Sequence, residues 1–187
     1  MIIAISGLHG TGKSVVGKKI AEKLGLAYYS TGDLFRAIAQ EKGLSLEDLS
    51  NLAEKDKTID YTIDYRIKQL ALKGNCVLDN QLSSYLLKDL VDYSVLLACD
   101  EEIRIKRMKE RDKEELGAKI QETQVRERSE RKRFLEFYGI DIHDPDKIKE
   151  TFDLILDTTH LSIEEVTSKI LTAIQEQEGF SLKDPKN

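Results

Sequence analysis

Short apolar runs rich in β-branched or aromatic residues recur along the chain: IIAIS (2–6), AYYS (27–30), CVLD (76–79), YSVLLAC (93–99) and FDLILD (152–157). None alternates strictly with polar residues, which predicts strands covered on both faces. Between them run GKSVVGKKIAEKLG, GDLFRAIAQEKG, DEEIRIKRMKERD and SIEEVTSKILTAIQ, each with the spacing of an amphipathic helix. Strands alternating with such helices predict an α/β protein: a five-stranded parallel sheet between two helical layers.

The punctuation agrees with the periodicity. Ser30 or Thr31 is placed to cap the second helix, and Gly25 and Gly43 stand where helices should stop. Two connections exceed what the fold requires, 44–74, which has a helical pattern, and 112–137, which holds the charge-dense stretch TQVRERSERKR (123–133). That stretch could be a solvated helix surface, a nucleic-acid patch or a clamp for a small anion. From Gln177 onward the chain turns polar, and 177–187 is expected to be a flexible tail after one domain over 1–176.

Composition narrows the function classes. A 187-residue chain suits a single domain with a substantial core, and its net charge of −5 argues against wrapping DNA or RNA. Any basic patch must therefore be local. Cys76 and Cys99 sit in apolar stretches without metal-ligand spacing, which predicts buried free thiols. The run MIIAISG is short for a secretory leader, and no stretch nears the roughly 18 apolar residues needed to span a bilayer. The expectation is a cytoplasmic protein without membrane or nucleic-acid partners.

GLHGTGKS (7–14) fits G-x-x-x-x-G-K-[ST] between a predicted strand and a predicted helix, the context that makes the pattern a phosphate loop. Gly7, Gly10 and Gly12 let successive backbone N–H groups point at an anion, and the helix from Lys13 adds the positive end of its dipole. The ATP-binding segment is expected to be Gly7, Leu8, His9, Gly10, Thr11, Gly12, Lys13, Ser14 and Val15. Lys13 would reach the β- and γ-phosphates, and Ser14 would ligate Mg²⁺. His9 occupies a variable position of the loop and reads as a solvent-facing filler rather than a base.

Neither D-x-x-G nor N-K-x-D occurs, which disfavours a GTPase. STGDLFR (30–36) begins where the second strand ends, the edge that faces the ligand crevice in such sheets. Arg36 there can fork onto an acceptor phosphate, while Ser30, Thr31 and Gly32 allow close backbone approach.

With these motifs and RERSERKRFLEFYGIDI (126–142), the chain resembles the nucleoside monophosphate kinases, and within them the cytidylate kinases of archaeal type. The resemblance covers nearly the whole chain, including IDYTIDYR (59–66). It implies that 44–74 is the monophosphate-binding arm and 112–137 the lid. It also implies that Arg126, Glu130 and Arg133 meet the monophosphate and that Arg107 supports the transferring phosphoryl group. Arg111 fits as an anion contact beside Arg107 and Lys13.

In a helix Arg126, Glu130 and Arg133 share one face, with Glu127 and Arg131 a separate i, i+4 pair. An acid between two arginines can accept from the amino group of a cytosine edge while an arginine donates to its acceptors. Arg104, Arg107 and Arg111 form a further cationic stripe expected to face the cleft.

The pattern breaks after the third strand. Asp79 fits the family and could serve Mg²⁺ or hydrogen-bond Ser14. Asn80 and Gln81, however, replace a Gly-Arg pair, and Arg66 is a possible substitute for the lost charge. Asp60 and Asp64 could hold ribose or base, with Asp60 kept as a substrate-binding candidate, or could be surface acids of an amphipathic helix. The expected activity is phosphoryl transfer from Mg-ATP to CMP, and to dCMP, by a monomer. The same chemistry on UMP, AMP or another hydroxyl, a non-catalytic nucleotide-binding module and an RNA-binding helix are the alternatives.

Overall fold

The computed structural model describes residues 1–113 and 115–178. Five strands, β1 (Ile2–Ser6), β2 (Ala27–Ser30), β3 (Cys76–Asp79), β4 (Tyr93–Ala98) and β5 (Leu154–Asp157), form one sheet in the order β2-β3-β1-β4-β5. Every neighbouring pair is parallel. The inner strands are buried throughout or nearly so, as their unbroken apolar runs predict. Edge strand β5 instead alternates between half-buried and exposed positions. β4 stops at Ala98 and β5 starts at Leu154, so Cys99 and Phe152 lie outside the strands assigned to them, and Cys99 is only partly buried.

Side chains leave successive strand positions on opposite faces. Ile3, Ile5, Val77, Val95 and Leu97 pack under α1 (Lys13–Leu24) and, through Val166, Ile170 and Ile174, under α9 (Ile163–Glu178). Ile2, Cys76 and Leu78 point the other way, toward α2 (Thr31–Lys42), α3 (Leu46–Ala53) and α4 (Thr58–Ala71). Helices thus cover both faces, giving three layers. Ser30 caps α2 by accepting from the Asp33 N–H, and Gly25 and Gly43 end α1 and α2 with φ of 65° each.

The long connections are helical. Segment 44–74 contains α3 and α4, which close one face of the core through Leu49, Ala53, Ile59, Ile63 and Ile67. Segment 112–137 is the end of α6 (Glu101–Asp112) and a single helix, α7 (Leu116–Tyr138), which packs against α6 and α3. Two short helices, α5 (Ser83–Leu86) and α8 (Pro145–Thr151), lack a periodic signal long enough to predict. Gln177 and Glu178 belong to α9, which corrects the expected tail boundary; the rest of that tail lies outside the described residues. Among the described residues no helix is long and apolar enough to cross a membrane.

This layering makes a stability prediction. Ile5 is 0% exposed on the central strand and Ile155 is 47% exposed on the edge. Urea unfolding should show Ile5→Ala costing about 3 kcal/mol and Ile155→Ala under about 1 kcal/mol.

Candidate active site

The register Ile5↔Asp79 brings the ends of β1 and β3 side by side, so the phosphate loop and the segment after β3 open on the same edge. A cleft of about 710 Å³ lies there. The loop wall is bent by Gly7, Gly10 and Gly12, all at positive φ. A Cβ on Gly10 would also stand 2.5 Å from the Arg104 carbonyl oxygen, so no other residue fits there. Lys13 lies half-buried beneath the loop, its Nζ donating to the Leu8 carbonyl at 2.9 Å. Burial pulls its ammonium below the usual lysine range, and Asp79, Glu130 and Glu127 oppose that pull.

At the mouth of the loop Ser14 Oγ donates to Asp79 Oδ2 at 2.6 Å, and the Tyr28 hydroxyl donates to the same oxygen at 2.6 Å. Burial first, and then the Asp79 carboxylate, push the Tyr28 hydroxyl's pKa well above the tyrosine range, so it remains a donor. Ser14 and Asp79 are oxygen donors of the kind a hard divalent cation uses. Among the described residues no three His, Cys, Asp or Glu side chains converge to hold a metal by themselves. A cation here would share its remaining positions with phosphate oxygens and water, as Mg²⁺ does in phosphoryl-transfer sites.

Of the predicted site residues, His9, Gly10, Thr11, Gly12, Lys13, Ser14, Val15, Ser30, Thr31, Gly32, Arg36, Asp60, Asp79, Arg107, Arg111, Arg126, Glu130 and Arg133 all line the cleft. Gly7 and Leu8 instead line a smaller cavity of about 180 Å³ behind the loop. Arg36 is exposed and pairs with Asp33 at 2.6 Å, and Arg111 is exposed and pairs with Asp112 at 2.6 Å. Arg107 donates to the Thr158 carbonyl at 2.7 Å, which fixes it against the turn after β5.

The far wall is built by α4 and α7. Arg133 Nε donates to Asp60 Oδ2 at 2.9 Å, with side chains only 4% and 11% exposed, so Asp60 is a buried partner and not a surface acid. Burial raises the Asp60 carboxyl and Arg133 opposes it. Asp64 accepts from the Tyr138 hydroxyl and also lines the cleft. Burial, against the Tyr138 bond, pushes the Asp64 carboxyl up to about 6.

Several expectations need correction. His9 is not a solvent-facing filler: its Nε2 lies 3.0 and 2.9 Å from the two Glu130 oxygens. Arg104 does not join the cleft stripe, because its Nη1 is bound to the His9 carbonyl at 2.7 Å and to Glu127 at 2.6 Å. Glu127 therefore pairs with Arg104, and Arg131 with Asp141, rather than with each other. Arg66 is exposed and does not line the cleft, so it replaces no missing charge. Gln81 donates to Glu130 at 2.8 Å instead. Sequence reasoning missed Tyr138, and missed Thr158 with the segment Leu161–Val166, parts of which line the cleft after β5. The rule that strand ends face the crevice could have found the latter, since Thr158, Thr159 and His160 follow the last strand directly.

The model of the cytidylate kinase-like family matches residues 2–160. This chain belongs to that family. The cytidylate kinase of Staphylothermus marinus is 42% identical over 175 residues, covering 94% of this chain and 97% of that one. The Aeropyrum pernix cytidylate kinase is 44% identical over 167 residues, 89% and 95% of the two chains. Among solved structures, a gluconokinase from Sinorhizobium meliloti aligns with a TM-score of 0.61 at 16% identity over 95% and 93% of the two chains, a likeness of fold.

Asp64 titrates within this cleft, and that has a measurable consequence. The folded chain holds a proton on Asp64 that the unfolded chain loses at the ordinary aspartate value, so stability falls as pH rises from there to about 6. Asp64→Asn removes that loss while keeping an acceptor for Tyr138. Its stability advantage over wild type should grow by about 2 kcal/mol between about pH 4 and pH 7 in chemical denaturation.

Proposed function

We propose that this chain transfers the terminal phosphoryl group of ATP to CMP, and to dCMP, yielding the diphosphate and ADP in the cytoplasm. The observation that supports the reading is that residues of the phosphate loop and five arginines, Arg36, Arg107, Arg111, Arg126 and Arg133, line one cleft. Two phosphate-bearing ligands brought end to end there would need no covalent enzyme intermediate. The names of the relatives supply the acceptor: 42–44% identity over most of both chains joins this protein to cytidylate kinases.

In this reading the N–H groups of the loop and Lys13 seat the donor phosphates, and Ser14 with Asp79 holds Mg²⁺. That ion, when bound, offsets charge on the phosphate oxygens. Tyr28 keeps the Asp79 carboxylate aimed at Ser14 through its own hydrogen bond. Arg107 and Arg111 stabilise the charge that develops on the transferring group, and such fixed charges are the main source of acceleration in this chemistry. Arg36 seats the acceptor phosphate, with Ser30, Thr31 and Gly32 beside it. Arg126, Glu130 and Arg133 read the base, and Asp60 holds Arg133 in place.

The segments 44–74 and 112–137 act as the acceptor arm and the lid of one domain, and closure of the lid keeps water from competing as acceptor. The enzyme acts as a monomer on small nucleotides. The exposed basic residues Arg128, Arg131 and Lys132 of α7 offer less to RNA than their charge implies, since Asp141 and Glu54 pair two of them.

A coupled ADP-release assay against CMP, dCMP, UMP, AMP, GMP and shikimate tests the proposal. The expected ranking has a cytidylate first by at least about tenfold in kcat/KM; another acceptor in that place would overturn it. Lys13→Met should lower kcat by at least about a hundredfold with the far-UV spectrum unchanged.

A further inference from the structure

The most unexpected contact of the cleft joins its two walls. His9 comes from the phosphate loop and Glu130 from α7, 121 positions apart in sequence, yet the imidazole Nε2 sits almost equally close to both carboxylate oxygens. Gln81, from the segment after β3, donates to one of the same oxygens at 2.8 Å. Both His9 and Glu130 are largely buried, with side chains 22% and 17% exposed.

We propose that His9 is a positioning residue for the acceptor base: together with Gln81, it holds the Glu130 carboxylate in place. The inference rests on the reading of this wall as the base reader.

A carboxylate that is ionised can only accept hydrogen bonds. It therefore favours a pyrimidine edge that offers an amino group and disfavours one that offers a carbonyl, because the latter would leave two acceptors facing each other. Two features keep Glu130 in that form. Burial alone would raise its carboxyl, but His9 first, then Arg126 and Arg133, outweigh the burial and bring it down to about 2. Geometry adds a second restraint. Gln81 touches only Oε2, so without His9 the group could turn about its terminal bond and lose the orientation that His9 gives Oε1.

His9 is itself fixed from behind. Its backbone carbonyl accepts from buried Arg104, which is clamped by Glu127 on α7. The loop and α7 are thus tied twice, once through a backbone oxygen and once through the imidazole. The chemistry of the donor loop and the identity of the acceptor are linked by one side chain.

The test compares wild type, His9→Ala, His9→Gln, Glu130→Gln and the double variant His9→Ala/Glu130→Gln in steady-state assays with CMP and UMP. A charge-assisted hydrogen bond of this kind is worth about tenfold in binding. His9→Ala should raise KM for CMP about tenfold and lower the CMP-over-UMP ratio of kcat/KM by a similar factor, while KM for ATP changes less than about twofold. His9→Gln keeps an N–H donor and should recover part of the ratio. The double variant should lose no more than Glu130→Gln alone, since both act through one carboxylate.

A rise in KM for ATP matching that for CMP, an unchanged CMP-over-UMP ratio, or additive losses in the double variant would each overturn the role given to His9. Wild-type preference for a different monophosphate would refute the substrate reading alone. His9 would then be judged by the same variants on KM for that acceptor, and, if nothing is turned over, by calorimetric affinity for CMP.

Discussion

Parallel pairing of β1 with β3 is the constraint on which the cleft depends. With Ile5 opposite Asp79, the chain leaves both strands at one edge, one as the phosphate loop and the other as the segment carrying Asn80 and Gln81. A slip of one residue would turn Asp79 to the opposite face of the sheet and break its bonds to Ser14 and Tyr28 together. The buried core on each side protects against that slip. Ile3, Ile5 and Val77 are 0% exposed beneath α1 and α9, while Cys76 and Leu78 are 0% exposed beneath α2 to α4.

Charge reverses between the whole molecule and the site. The chain carries a net −5, yet Lys13, Arg36, Arg107, Arg111, Arg126 and Arg133 all line one cleft. Cations withdrawn from water are costly unless each has a partner of fixed geometry. Here Asp60 meets Arg133, the Thr158 carbonyl meets Arg107, and the Leu8 carbonyl meets Lys13. These partners fix the cations on the cleft wall, and in the proposed function that preorganisation is what phosphoryl transfer would gain from. The same economy explains Arg104, which shares the charge of its neighbours but serves to clamp α6, α7 and the loop together.

Much of the fold was legible because it is written in local pattern. The runs at 2–6, 27–30 and 76–79 coincide with β1, β2 and β3, and Gly25 and Gly43 end helices by the backbone freedom that predicts them. The phosphate loop was legible for the same reason, since its eight residues are contiguous. What the sequence hid are pairings across long separations. Nothing local to His9 announces Glu130, and nothing in the i, i+4 spacing of Glu127 and Arg131 shows that each is claimed by another element. Asp60 and Asp64 read equally well as surface acids, because a helix period gives a face but does not say what covers it. Arg133 and Tyr138 supply that cover.

The proposed function requires donor and acceptor sites to open end to end into one cleft. Calorimetric titration with a single molecule that joins cytidine and adenosine through a chain of five phosphates tests it most directly. Linking two occupants of adjoining pockets makes the second binding event intramolecular, so the joined ligand should bind with one-to-one stoichiometry at least about a hundredfold tighter than ATP or CMP alone. Affinity no better than that of ATP, or a second equivalent of the ligand bound per chain, would contradict it.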